Sequence, residues 1–163
     1  MTEPNWKGNQ TMRAVVQRVS RAAVRVEGKS VGEVEQGLCI MLGVTTQDGE
    51  TQCDYLAEKI SNLRIFEDEN QKMNCSIKDI HGGTLVISNF TLCTETKKSG
   101  NRPSFTLAAR PEQAEPLYLR FCEKLKEYGV ERTAHGVFGA DMEVSITADG
   151  PVTIYLDTVL MGK

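Results

Sequence analysis

Two short segments hold the residues best suited to chemistry: Ser88-Asn89-Phe90-Thr91-Leu92 and Asp149-Gly150-Pro151-Val152-Thr153. In the first, the run Thr84-Leu85-Val86-Ile87 reads as buried, and polar Ser88 and Asn89 interrupt it before Phe90 and Leu92. Buried polar side chains need partners, so the pair either satisfies nearby loop backbone or faces a ligand. Thr91 could act as a nucleophile only beside a base, and His135 is the ready candidate. The segments contain no Ser-His-Asp set, no carboxylate pair and no metal cluster. His81 and His135 lack partners at metal spacing, so neither a metal nor another cofactor is expected. In the second segment, Asp-Gly alone would suit a hairpin. Pro151 additionally removes an N–H and fixes φ. The segment therefore reads as a tight turn or as a stiff tip that presents bare main-chain carbonyls outward.

The elements around these segments follow from periodicity. Arg13 to Arg21 alternates as a strand, with Ala14, Val16 and Arg18 on one face. A charge in that company is costly unless it is paired. Val24-Val26 and Val31-Val34 read as two further short strands, and Leu38 to Leu42 as a central strand covered on both faces. Cys53, Leu56, Ala57, Ile60 and Leu63 share one helical face, with Asp48 or Thr51 as the expected cap. Asp68 to Asn74 reads as a polar turn region. A second helix carries Ala114, Leu117, Tyr118, Phe121 and Leu125, with Pro111 near its start and Gly129 near its end. Strands at 142–147 and 152–156 flank Asp149-Gly150. The fold class predicted is α+β: largely antiparallel β-sheets with two amphipathic helices packed on one side, a layered β/β/α arrangement.

Composition narrows the class. An apolar share of 40% with 25% charged residues suits a soluble globular chain. No apolar run approaches the ~20 residues of a membrane span, and Met1 to Gln10 lacks a signal-peptide core. A cytoplasmic protein with no membrane partner is expected. Residues 1–11 read as a polar, disordered leader and 12–163 as a single domain. The five cysteines lie far apart among apolar neighbours, which predicts buried free thiols rather than disulfides or zinc ligands. A net charge of −3 argues against general phosphate tracking but permits contact with one end of an RNA.

The two segments closely resemble the signature motifs of the D-aminoacyl-tRNA deacylase family, also called D-tyrosyl-tRNA deacylases. The resemblance extends from Met12 to Asp157. It includes Val16-Gln17-Arg18-Val19, the strand from Gly37 to Val44, Lys72-Met73-Asn74, Arg102-Pro103-Ser104-Phe105 and Phe138-Gly139-Ala140-Asp141-Met142. One position departs: the family's first motif usually reads Ser-Gln-Phe-Thr-Leu, and this chain has Asn89 for the Gln. An amide one methylene shorter must shift its hydrogen bond or pass it through water.

The resemblance implies hydrolysis of the ester joining a D-amino acid, or glycine, to the 3′ adenosine of tRNA, as chiral proofreading in translation. It implies a homodimer with active sites at the subunit interface, each entered by the partner's cis Gly-Pro segment. Ser88, Phe90 and Thr91 would form the catalytic motif. Backbone N–H groups near Phe90 and Thr91 would polarise the carbonyl, and the tRNA 2′-hydroxyl would help activate water. Asn89, Ala114, Phe138, Gly150, Pro151 and Arg18 would bind substrate. In these roles Ala114 lines the amino-acid pocket, Phe138 meets the terminal adenine, and Arg18 braces the partner's Gly-Pro segment or forms a salt bridge within the fold. Lys97, Lys98 and Arg102 would contact phosphates of the acceptor end. The alternatives are an ester hydrolase with Thr91 as nucleophile, and a non-catalytic RNA-binding module.

Overall fold

The computed structural model describes residues 12–95 and 100–162. The polar leader, Lys97 and Lys98 lie outside the described residues. A long antiparallel hairpin forms the frame. Strand β1 (Arg13–Val26) runs out and turns at Glu27 and Gly28, whose φ values of 51° and 78° match a two-residue type I′ turn. The chain returns along the same edge of β1 as β2 (Lys29–Val34) and then β3 (Gly37–Gly43), interrupted at Glu35-Gln36. The last strand, β8 (Glu143–Asp157), covers the other edge of β1 along nearly its whole length.

Two sequence expectations change here. The predicted break within β1 is absent, and Asp149-Gly150-Pro151 does not reverse the chain. Both halves of β8 pair with one continuous neighbour, so the irregularity becomes register slips between Gln17 and Val19 and between Val19 and Arg21.

These slips lie level with the Glu35-Gln36 interruption, and together they mark a bend across three strands. On one side of it, Ala14, Val16, Leu38 and Ile40 join the main core, with Val152, Ile154 and Leu156 packed against it. On the other side, Val19, Ala22, Val24 and Val34 enclose Cys39, Leu85 and Ile87, with Val144 and Ile146 alongside. Strands β3 and β6 (Gly83–Ser88) are thus buried on both faces, which is why they read as unbroken apolar runs.

The pairings of β1 are all antiparallel, whereas β6 pairs in parallel with β3 and with β7 (Arg132–His135). Each parallel crossover carries a helix, α1 (Glu50–Asn62) or α2 (Pro111–Glu127). The result is an α+β fold with a mixed sheet. Strand β7 and the small ribbon of β4 (Phe66–Glu67) and β5 (Met73–Cys75) went unread because two to four residues carry too little periodicity. The helices join through Arg120, whose guanidinium forks onto the Asp54 carboxylate at 2.8 and 2.9 Å. Cys39, Cys53, Cys93 and Cys122 are buried free thiols, and Cys75 is half-buried. No helix among the described residues is long and apolar enough to cross a membrane.

Neither Asp48 nor Thr51 caps α1. Gly49 is the N-cap, and its N–H donates to Gln52 Oε1 at 2.9 Å. Asp48 turns back instead, and its Oδ2 accepts the Thr45 N–H at 2.6 Å in a buried site. Burial pushes this carboxyl up to about 6, against opposing hydrogen bonds from Thr45 and Met12. The folded state therefore holds the proton more tightly than the unfolded chain. Stability falls as pH rises from about 4 to 6, and the full cost is present above that range. Asp48→Asn keeps the acceptor and removes the charge. It is expected to be more stable than wild type by about 1–3 kcal/mol at pH 7 and nearly equal near pH 4. Urea unfolding at the two pH values checks this, and a gap that does not shrink in acid contradicts it.

Candidate functional site

The first motif begins where β6 runs out. Ser88 is the last rung of the ladder, opposite Leu42, and the Asn89 N–H donates to Leu42 O at 2.8 Å. The chain then tightens into a 3-10 turn, Phe90–Cys93. Asn89 caps it: its Oδ1 accepts the Thr91 N–H at 3.2 Å and also the Thr91 hydroxyl. The Leu92 N–H closes the turn on Asn89 O at 3.3 Å. At the far end, Arg13 Nη1 donates to Leu92 O at 2.8 Å, and the same guanidinium pairs with Asp157 at 3.3 Å. Gly43 lies underneath. A Cβ there would sit 2.9 Å from Leu92 Cβ and 3.2 Å from both Asn89 O and Cys93 Sγ. The turn is thus fixed at both ends and from below. Phe90 points outward, 58% exposed, with the Phe105 ring edge-on at 5.2 Å.

This geometry bears on the nucleophile reading. The Thr91 hydroxyl donates to an amide oxygen, that of Asn89, which cannot take up a proton at neutral pH. His135 is engaged elsewhere: its Nδ1 lies 2.7 Å from Gly136 O, and its ring meets Tyr118 edge-on at 5.8 Å. The Cys93 thiol faces inward to Val44 O, and burial pushes it up to about 11, so it stays protonated.

The second motif lies on the bend in β8. Arg18 is buried there. Its Nε is 3.3 Å from both the main-chain oxygen and the carboxylate of Asp149, and its Nη1 donates to Ile65 O at 2.9 Å. Arg18 therefore ties down the segment of its own chain. The Gly150-Pro151 bond is cis, and both residues are exposed. Gly150 has φ +123°, and a Cβ would come within 3.0 Å of Val152 and 3.2 Å of Arg18 Nη2, so the position admits only glycine.

Ala114 is buried in the first turn of α2. Phe138 is half-buried against the main core, 6.0 Å from the Tyr118 ring. The Tyr118 hydroxyl donates to Val86 O at 2.9 Å. Arg102 is exposed. A cleft of 720 Å³ lined by Arg21, Glu33 and Arg132 contains no residue of either motif.

The motif turn hangs on Arg13 and the Gly-Pro segment on Arg18, anchors that lie five residues apart along β1, roughly 17 Å between their Cα atoms in an unbroken strand. Sequence reasoning gave no role to Arg13, Gly43 or Phe105, although Phe105 lies in the Arg102-Pro103-Ser104-Phe105 stretch that carries the resemblance. The first two act on backbone through one long-range hydrogen bond and through smallness, neither of which leaves a periodic signal.

Residues 15–157 match the family model described as D-Tyr-tRNA(Tyr) deacylase. A D-aminoacyl-tRNA deacylase of Caldicellulosiruptor saccharolyticus is 56% identical over 147 residues, covering 90% of this chain and 97% of that one. One from Magnetococcus marinus is 53% identical over 146 residues, covering 90% and 96%. Among solved structures, a c-Myc DNA unwinding element binding protein superposes with TM-score 0.82 at 44% identity, covering 89% and 97%. A probable eukaryotic D-amino acid tRNA deacylase superposes with TM-score 0.77 at 16% identity and shares the fold.

Gly43→Ala is expected to press on the motif turn and cost about 1–3 kcal/mol of stability. Urea unfolding measures it, and a loss below about 0.3 kcal/mol would show that the turn does not rest on Gly43.

Proposed function

This chain belongs to the D-aminoacyl-tRNA deacylase family and hydrolyses D-aminoacyl-tRNA; we propose that it does so at a site completed by a second copy of itself. The motif turn of one protomer receives the ester. The partner's Gly150-Pro151 main chain stands beside the substrate Cα and leaves an L side chain no room. Glycine, with no side chain to exclude, also enters. The supporting observation is that the two motifs hang on separate anchors along β1, Arg13 and Arg18, and that Phe90, Thr91, Gly150 and Pro151 are exposed and open to a second chain.

The physical demand fits. D and L esters contain the same atoms, and a yielding apolar pocket separates close analogues by only about 1–3 kcal/mol. Rejection of one hand needs something that cannot move aside. Gly150-Pro151 is backbone, held by a buried guanidinium through Asp149.

Catalysis in this reading needs little from side chains. A backbone N–H of the motif turn holds the developing oxyanion. The tRNA 2′-hydroxyl assists water as it attacks the carbonyl, and the 3′ oxygen leaves with a proton. Ser88 borders the ester, Ala114 the amino-acid pocket and Phe138 the terminal adenine. Arg102, with Lys97 and Lys98, meets acceptor-end phosphates. The role is chiral proofreading in the cytoplasm, without a cofactor.

The test is ester loss from D-Tyr-tRNA and L-Tyr-tRNA. The D ester is expected to be cleaved at least about a hundredfold faster, and equal rates would refute exclusion by the main chain. Thr91→Ala is expected to keep activity within about tenfold of wild type, whereas a loss of about a thousandfold or more would restore Thr91 as nucleophile.

A further inference from the structure

We infer that Tyr118 is a positioning residue: its buried hydroxyl fixes the strand that delivers the catalytic motif against the loop that delivers Phe138, and so keeps the ester in register with the terminal adenine. Ala114 and Tyr118 stand four residues apart on α2, one turn along the same face. Tyr118 is 1% exposed, and a hydroxyl at that depth must have a partner. Two carbonyls meet it, Val86 O at 2.9 Å and Gly136 O at 3.4 Å. Burial pushes the phenol up, so it remains a donor at neutral pH. Packing does not account for the hydroxyl. Phe121, three residues on and equally buried, fills its share of the core with a bare ring.

The two carbonyls mark the fork at which the site leaves the sheet. Val86 and His135 form the last rung of the β6–β7 ladder, and the Gly136 N–H then donates to Val86 O at 3.1 Å. Beyond that bond the two chains part. Two residues after Val86 comes Ser88, where the motif begins, and two residues after Gly136 comes Phe138. The Tyr118 ring braces the same place, edge-on to His135 at 5.8 Å and 6.0 Å from the Phe138 ring. One side chain thus touches both branches of the fork, from the helix that carries Ala114.

This role rests on the reading that Phe138 meets the terminal adenine, so a double-mutant cycle on D-Tyr-tRNA hydrolysis tests it. Tyr118→Phe keeps the ring, and Val86 O keeps the Gly136 N–H, so the variant is expected to fold. Its kcat is expected to fall about tenfold with KM changed less than about threefold, the pattern of reacting groups held out of place. Phe138→Ala is expected to raise KM about tenfold or more. In that background no adenine contact is left to align, and adding Tyr118→Phe is expected to cost less than about a further threefold in kcat. Wild-type kcat in Tyr118→Phe, an effect confined to KM, or the same tenfold loss in both backgrounds would each overturn the assignment. Phe138→Ala at wild-type KM would instead overturn the adenine reading on which the role depends.

Discussion

The fold turns on a buried guanidinium at a bend. Arg18 sits where the β1–β8 ladder slips register, and it holds Asp149 by main chain and by carboxylate while reaching across to Ile65 O. A cation in that position is tolerable only when its donors are satisfied. Satisfying them fixes where Asp149 lies, and so where Gly150 and Pro151 project. The bend also decides which core each half of the long strands serves. One charged contact thereby couples the curvature of the sheet to the placement of an exposed piece of backbone.

The other half of the site follows the same rule by different means. The motif turn is shaped by Leu42 O, the Asn89 amide, Arg13 and the bare Cα of Gly43. Almost all of this is contact to main chain. That suits a reaction on an ester already disposed to hydrolyse, where an aimed donor matters more than a reactive side chain. Ordinary nucleophiles nearby are disarmed: Thr91 leans on an amide, and Cys93 is buried as a thiol.

What the sequence made legible divides along physical lines. The helices and central strands were readable because burial of one or both faces writes a period or an unbroken apolar run, as in Cys53 to Ile60 and Leu38 to Leu42. Both motifs were readable as residue patterns. The continuity of β8 was not, because Asp-Gly-Pro carries every local signal of a turn and only the long edge of β1 overrides it. The parallel pairing of β6 with β7 was hidden because Arg132–His135 is short and partly exposed. Asp48 looked like a helix cap by position, yet the tertiary contact to Thr45 claimed it. Ala114 was legible as part of the apolar face of the second helix, and it is buried there, while Phe138 packs half-buried against the same core.

Subunit mixing reaches the central claim most directly. One variant would carry a disrupted motif turn, Gly43→Val, and the other a disrupted segment, Gly150→Val; each is expected to be inactive alone. If every site takes its turn from one copy and its Gly-Pro segment from the other, a mixed dimer keeps one intact site. Co-refolding equal amounts should then recover about a quarter of wild-type D-Tyr-tRNA hydrolysis, since half of randomly assorted dimers are mixed. No recovery, with mixed dimers shown to have formed, would place both motifs in the same copy and contradict the account.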